Sequence, residues 1–206
     1  MKHLLLRILV YICFSNFICA QSNIAKRAAR EERRWALCHP FIIKKTVVVT
    51  RFVVQTTNDK SVISQLDTLV NGGKLDAFRH IFWMACLTKK IGYKKALQLG
   101  NAHEKGNYTQ FLQGSLEDGN LPDEASCRMD SLNNLIGANI GLLWRKAHVD
   151  FDKNEIIKYI NNGTCYIIRR NNRGGFIDCN GVEIKQETDF KQWRNKKCVV
   201  FLNTLL

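Results

Sequence analysis

The sequence predicts a mainly α protein, with a helical bundle-like domain over 21–162 and a small β-rich C-terminal segment over 163–206. Three observations carry this reading. Apolar residues between 74 and 148 recur with a helical period rather than a two-residue one. Pro40, Gly72–Gly73 and Asn162–Gly163 punctuate the apolar stretches where helices should stop. After Gly163 the pattern changes to short runs of Ile, Val, Tyr and Phe between Asn and Gly, which is strand-and-turn composition.

The first twenty residues, "MKHLLLRILVYICFSNFICA", have a basic start at Lys2 and Arg7, an apolar stretch and a small residue, Ala20. That order predicts a secretory signal peptide over 1–20, cleaved after Ala20. The apolar part is short for a membrane helix, which needs about 20 residues. No later stretch is apolar enough to span a bilayer, so no transmembrane segment is expected after cleavage, and the expected location is secreted or periplasmic. Loss of Lys2 and Arg7 lowers the formal charge from +13 to +11. An excess of that size favours anionic partners, either an anionic substrate or an envelope surface. Cys38, Cys86, Cys127, Cys165, Cys179 and Cys198 remain, an even count suited to disulfides in an oxidising compartment. No C-x-x-C pair occurs, which argues against a zinc ribbon or a thioredoxin-type site. The expected pairing is Cys165–Cys179, since both fall in the hairpin region.

Residues 24–37 are charged and helix-favouring, and Pro40 ends that helix. Residues 41–55, "FIIKKTVVVTRFVVQ", are β-branched enough for a strand. Yet Ile42, Val49 and Val53 recur at helical spacing, and that spacing predicts a helix. Ser61 opens a short helix that Gly72–Gly73 stops. Helices are then expected over 74–90, 93–105 and 127–148, the second ended by "KGN" at 105–107, with a long polar loop over 106–126, and a further helix over 152–161. The strands are "TCYIIRR", "FIDCNGVEI" and "KCVVFL".

The stretch "KLDAFRHIFW" at 74–83 is apolar nearly all round but carries Asp76, Arg79 and His80. At 100° per residue Asp76, His80 and Trp83 share one face, with Arg79 beside them. Burying such groups without partners costs several kcal/mol, so partners must come from elsewhere in the chain. The helix at 127–148 offers them. Asp130, Asn133, Asn134, Gly137, Gly141 and Trp144 fall on one face, and two glycines there predict close approach of another helix. Between the two, His103 ends a stripe of Tyr93, Ala96 and Gly100, and Glu104 follows. The three segments are expected to meet in one polar seam.

The sequence D-x-F-R-H-x-x-W (Asp76, Phe78, Arg79, His80, Trp83), then H-E (His103, Glu104), then M-D-x-x-N-N-x-x-G (Met129, Asp130, Asn133, Asn134, Gly137) resembles a family of uncharacterised bacterial domains without assigned activity. The resemblance spans roughly 35–148. It implies a mostly helical domain in exported or surface-associated proteins, and no chemistry.

Three readings of the seam stand side by side. In the first, Asp76, His80, His103 and Asp130 hold a divalent metal ion that activates water. In the second, a histidine oriented by Asp76 or Asp130 is a general base, while Arg79, Asn133 and Asn134 stabilise developing negative charge. In the third, Arg79 pairs with Asp130 or Glu104 and the network fixes helix register without doing chemistry. The candidate catalytic set is therefore Asp76, Arg79, His80, His103, Glu104, Asp130, Asn133 and Asn134. The functional expectation is an exported hydrolase acting on an anionic, phosphodiester-type substrate. The alternative is a non-catalytic envelope or interaction module. Arg169, Arg170 and Arg173 can contact phosphates or simply decorate a solvated hairpin tip. His39 reads as a turn residue and His148 as peripheral.

Overall fold

The helix expected at 74–90 is the axis around which the rest of the chain is arranged. In this computed structural model the described residues are 28–116, 119–185 and 192–205. The expected signal peptide and the start of the first helix lie outside them. The order of elements is α1 (Arg30–Cys38), a 3-10 turn (Pro40–Ile42), α2 (Ile43–Thr57), α3 (Lys60–Ile63), α4 (Lys74–Ile91), α5 (Tyr93–Leu112), α6 (Glu124–Ala147), α7 (Lys153–Asn161), β1 (Tyr166–Ile168), β2 (Val199–Phe201) and a closing 3-10 turn (Leu202–Leu205). The protein is mainly α, and the only sheet among the described residues is β1 paired antiparallel with β2, Ile168 opposite Val199.

The β-branched stretch after Pro40 is helical, as its period predicts. Thr46, Val49, Val53 and Thr57 form its buried stripe. Thr46 and Thr57 return their hydroxyls to the carbonyls of Ile42 and Val53, 3.0 and 2.9 Å away, so neither buried hydroxyl is orphaned.

α4 is buried on almost every side, by α2, α5, α6 and α7, and packs most extensively on α6. Gly137 and Gly141 make that contact possible. A Cβ built at either position would lie 2.2 Å from a backbone oxygen of α4, that of Ile81 or Ala85. The small-residue stripe thus brings the two helices nearly backbone to backbone, and the polar side chains beside it meet across a short gap.

Three expectations are corrected. The helix from Ser61 does not run to Gly72. It is the single turn Lys60–Ile63, capped by Asp59, because Asp67 organises the chain that follows. The Asp67 carboxylate accepts from the N–H groups of Leu69, Lys74 and Leu75 and so caps α4 instead. The helix expected over 93–105 continues to Leu112, shortening the polar loop. Gly106 is not a stop signal, since a Cβ there would meet the Ala29 Cβ at 2.4 Å, and the glycine admits the chain entering α1.

The third correction concerns the disulfide, which joins Cys179 to Cys198 and not to Cys165. β1 pairs with the strand at 199–201 rather than with "FIDCNGVEI", where only isolated bridges form. That pairing carries Cys198 past Ile177, whose carbonyl accepts from the Cys198 N–H. Cys165 is fully buried in the helical core, where burial pushes its thiol up to about 12. No helix among the described residues is long and apolar enough to cross a membrane.

Candidate functional site

Asp76 sits in the first turn of α4, where the helix dipole favours a carboxylate. Its Oδ2 accepts from the Gly72 N–H at 2.7 Å and its Oδ1 from Arg79 Nη2 at 2.7 Å. Arg79 thus pairs with Asp76 on its own helix. One helical turn on, His80 Nε2 lies 3.7 Å from Asp76 Oδ1 and 3.3 Å from Asp130 Oδ1 of α6. Asp76, His80 and Asp130 are 3, 3 and 5 % exposed. Their ligand-type atoms all lie within 4.8 Å of one another.

The remaining groups decide which way the imidazole faces. Asn134 donates from Nδ2 to Glu104 Oε1 at 3.4 Å, which turns its Oδ1 to His80 Nδ1 at 3.3 Å. Asn107 supports Glu104 from the next turn of α5. With a carboxylate at Glu104 the Asn134 carbonyl must accept from His80, so the His80 proton resides on Nδ1. Nε2 then presents its lone pair to two carboxylates, and it is buried without a hydrogen-bond partner of good geometry. Burial holds the His80 pKa well below the ordinary imidazole range, and the charges of Arg79 and His103 push the same way against the bond to Asn134. A neutral imidazole lone pair and two carboxylate oxygens converging on one point is an arrangement that a cation would complete.

His103 stands beside the cluster, its ring centroid 6.2 Å from that of His80 and 5.7 Å from Trp83. Its Nδ1 is 3.2 Å from Glu32 Oε1. Glu32 escaped the sequence reading. The available signal was a pair of acids, Glu31 and Glu32, in an otherwise basic helix. Its carboxyl is held below the usual range: burial raises it, but the bond and charge of His103 and the Ala29 N–H outweigh that. His103 and Glu104 both reach the seam although α5 does not end there. Glu104 turns to α6 through Asn134, and His103 turns to α4 and α1.

Of the eight candidate residues the structure brings seven into one network: Asp76, Arg79, His80, His103, Glu104, Asp130 and Asn134. Asn133 turns away. It donates from Nδ2 to the Tyr166 carbonyl and accepts the Tyr166 N–H on Oδ1, both at 2.9 Å, gripping β1 like a neighbouring strand. His103 also stands outside the compact ligand set, which is Asp76, His80 and Asp130. Arg79, His103 and Glu104 are the part-exposed members. Arg169, Arg170 and Arg173 line a separate cavity of about 410 Å³ on the β-rich segment. His39 hydrogen-bonds and stacks on Trp35, and His148 ends α6 away from the network.

Compared with known families, residues 33–165 match one described as Domain of unknown function (DUF6973). No curated protein and no solved structure matches the chain.

Proposed function

This chain belongs to the DUF6973 family, a domain of unknown function, and from its buried cluster we propose that it is a metal-assisted hydrolase acting on an anionic, phosphodiester-type substrate. One observation carries the reading: Asn134 commits His80 Nδ1, so Nε2 faces the carboxylates of Asp76 and Asp130 with its lone pair. Two carboxylates and one imidazole suit manganese, iron or zinc, with coordination positions left for water or substrate. A bound ion supplies Lewis acidity and a water acidic enough to attack at neutral pH.

The chain's own residues supply the rest. Asn134 and Glu104 fix the tautomer of the ligating imidazole, and Gly72 and Arg79 fix both oxygens of Asp76. The part-exposed Arg79 guanidinium, paired with Asp76, adds positive charge beside the cluster where an anionic substrate would sit. His103 is the proton carrier. With its Nδ1–H held by Glu32, Nε2 is the basic nitrogen. The basic chain concentrates anionic substrates near the site. The Cys179–Cys198 disulfide fits the exported location read from residues 1–20.

The test is elemental analysis of the purified protein combined with hydrolysis of bis(p-nitrophenyl) phosphate in added manganese or zinc. Stoichiometric metal that Asp130→Asn releases, and turnover lost in His103→Ala with metal retained, support the proposal. A metal-free protein with no turnover under any ion sinks it. The second reading, a non-catalytic envelope or interaction module, draws on the near-complete burial of the three ligands, which suits a network that sets the register of α4 against α6.

A further inference from the structure

The opposite side of α2 presents a surface that the cluster does not use. The helix buries Thr46, Val49, Val53 and Thr57, which places Lys44, Val48, Arg51 and Gln55 on the outward face. At the corner leading into it, Phe41 is 96 % exposed, with Leu37 at 72 % before it and Val48 at 58 % after it. Single exposed apolar residues are ordinary. Three large ones clustered about one corner, one of them a fully exposed phenylalanine, are not.

The formal charges from the second turn of α1 to the end of α2 have one sign. Residues 33–58 contain Arg33, Arg34, Lys44, Lys45 and Arg51 and no Asp or Glu. Arg33, Arg34, Lys44 and Lys45 are exposed beside the apolar tips. Trp35 is buried beneath the corner, stacked on His39, which carries the chain into Pro40. Phe41 and Leu37 are exposed over most of their surface, as side chains that stand out from the chain are, which favours insertion into a soft apolar phase over docking of a peptide or helix. Lysine stems reach past an apolar tip and keep their ammonium groups among phosphates. Glu31 and Glu32 of the same helix are engaged by Thr109 and His103 of α5, and apolar tips set among cations are what an anionic bilayer surface takes up.

We propose that the α1–α2 corner is a peripheral membrane-binding surface, inserting Phe41, Leu37 and Val48 into an anionic leaflet while Arg33, Arg34, Lys44 and Lys45 engage lipid phosphates. The inference is independent of the hydrolase reading and holds whether or not the cluster is catalytic.

Cys38 provides a local probe, because it is the exposed free thiol among the described cysteines. The full chain, with Cys13→Ser and Cys19→Ser so that labelling is specific, carries an environment-sensitive fluorophore on Cys38. It is mixed with pure phosphatidylcholine vesicles or with vesicles that also contain phosphatidylglycerol. The expected result is a blue shift on the anionic vesicles, weak on the neutral ones and diminished by salt. Phe41→Asp should lower the apparent partition at least about tenfold, and Lys44→Gln with Lys45→Gln about tenfold or more. All three positions are exposed, so circular dichroism should be unchanged. Equal shifts on both vesicle types, or variants that bind as well as the parent, overturn the proposal. So does co-sedimentation without a shift, which assigns binding to another segment. A shift that grows with protein concentration in the absence of vesicles also overturns it, and assigns the surface to a second copy of the chain.

Discussion

Replacing Asp130 by Asn separates a site built for a cation from a network built for stability, because the two give opposite signs. The substitution keeps shape and removes one charge. In the metal-free protein the Asp76 and Asp130 carboxylates are buried with ligand atoms within 4.8 Å of each other. At an effective dielectric near 20 two like charges at that distance repel by about 3 kcal/mol. The Arg79 guanidinium on Asp76 offsets part of this. Asp130→Asn should therefore leave the metal-free protein at least as stable as the parent, with a gain of about 1–3 kcal/mol. For a chain of this size each kcal/mol corresponds to about 2–4 °C in Tm. The assay is thermal and urea unfolding by circular dichroism after chelation, repeated with manganese or zinc. Added metal should raise the Tm of the parent and leave that of the variant in place. If Asp130 instead balances a protonated His80 in a structural ion pair, removing it leaves a buried charge and costs about 3–5 kcal/mol. A loss of that size, with no response to metal, would refute the reasoning from lone-pair geometry.

Gly141→Ala should destabilise despite the gain in helix propensity of about 1 kcal/mol. The new Cβ would sit 2.2 Å from the Ala85 oxygen, which is backbone in a buried helix and cannot turn aside. A net loss of about 1–3 kcal/mol in urea unfolding is expected, and a neutral or stabilised variant would contradict the close helix contact. Glu32→Gln tests the His103 pair through pH. Glu32 has a folded-state pKa below its ordinary 4.5, so its contribution is present above that value and is lost as pH falls through the lower folded one. The stability difference between parent and variant should be present at pH 7 by urea titration and shrink as the solution is taken well below about pH 4.5. A difference that is constant with pH would assign the effect to packing. Asn133→Ala orphans the N–H and carbonyl of Tyr166, at a cost of about 1–3 kcal/mol. Faster hydrogen exchange at 166–168, with metal binding retained, would mark Asn133 as an anchor rather than a catalytic group.

The helices were legible because their polar and small residues fall on stripes: Asp76 with His80, and Asp130 with Asn134, Gly137 and Gly141. Over 43–57 periodicity outweighed β-branched propensity, since burial of Val49 and Val53 on one face decides the outcome. Gly106 misled for a physical reason. A glycine that ends a helix and one that admits another chain look alike in sequence, and only the neighbouring Ala29 distinguishes them. The disulfide was misassigned because strand pairing over some thirty residues is fixed by tertiary contacts, among them the Ile168 N–H on the Gly72 carbonyl. Glu32 was missed because its role exists only once α1 lies along α5. Asn133 and Asn134 read as equivalent in the motif, yet the 100° between adjacent helical residues sends one to β1 and the other to His80.

That divergence bears on how the protein should be handled in the laboratory. The family match ends at residue 165, one position before the strand that Asn133 holds and that Gly72 braces two residues further on along the same edge. Gly72 in turn donates its N–H to Asp76. An expression clone trimmed to the matched residues would cut away the brace on both carboxylate-bearing helices while leaving every acidic and imidazole group in place. Silence from such a fragment would report the missing strand, so the C-terminal segment belongs in any preparation used to assay the cluster.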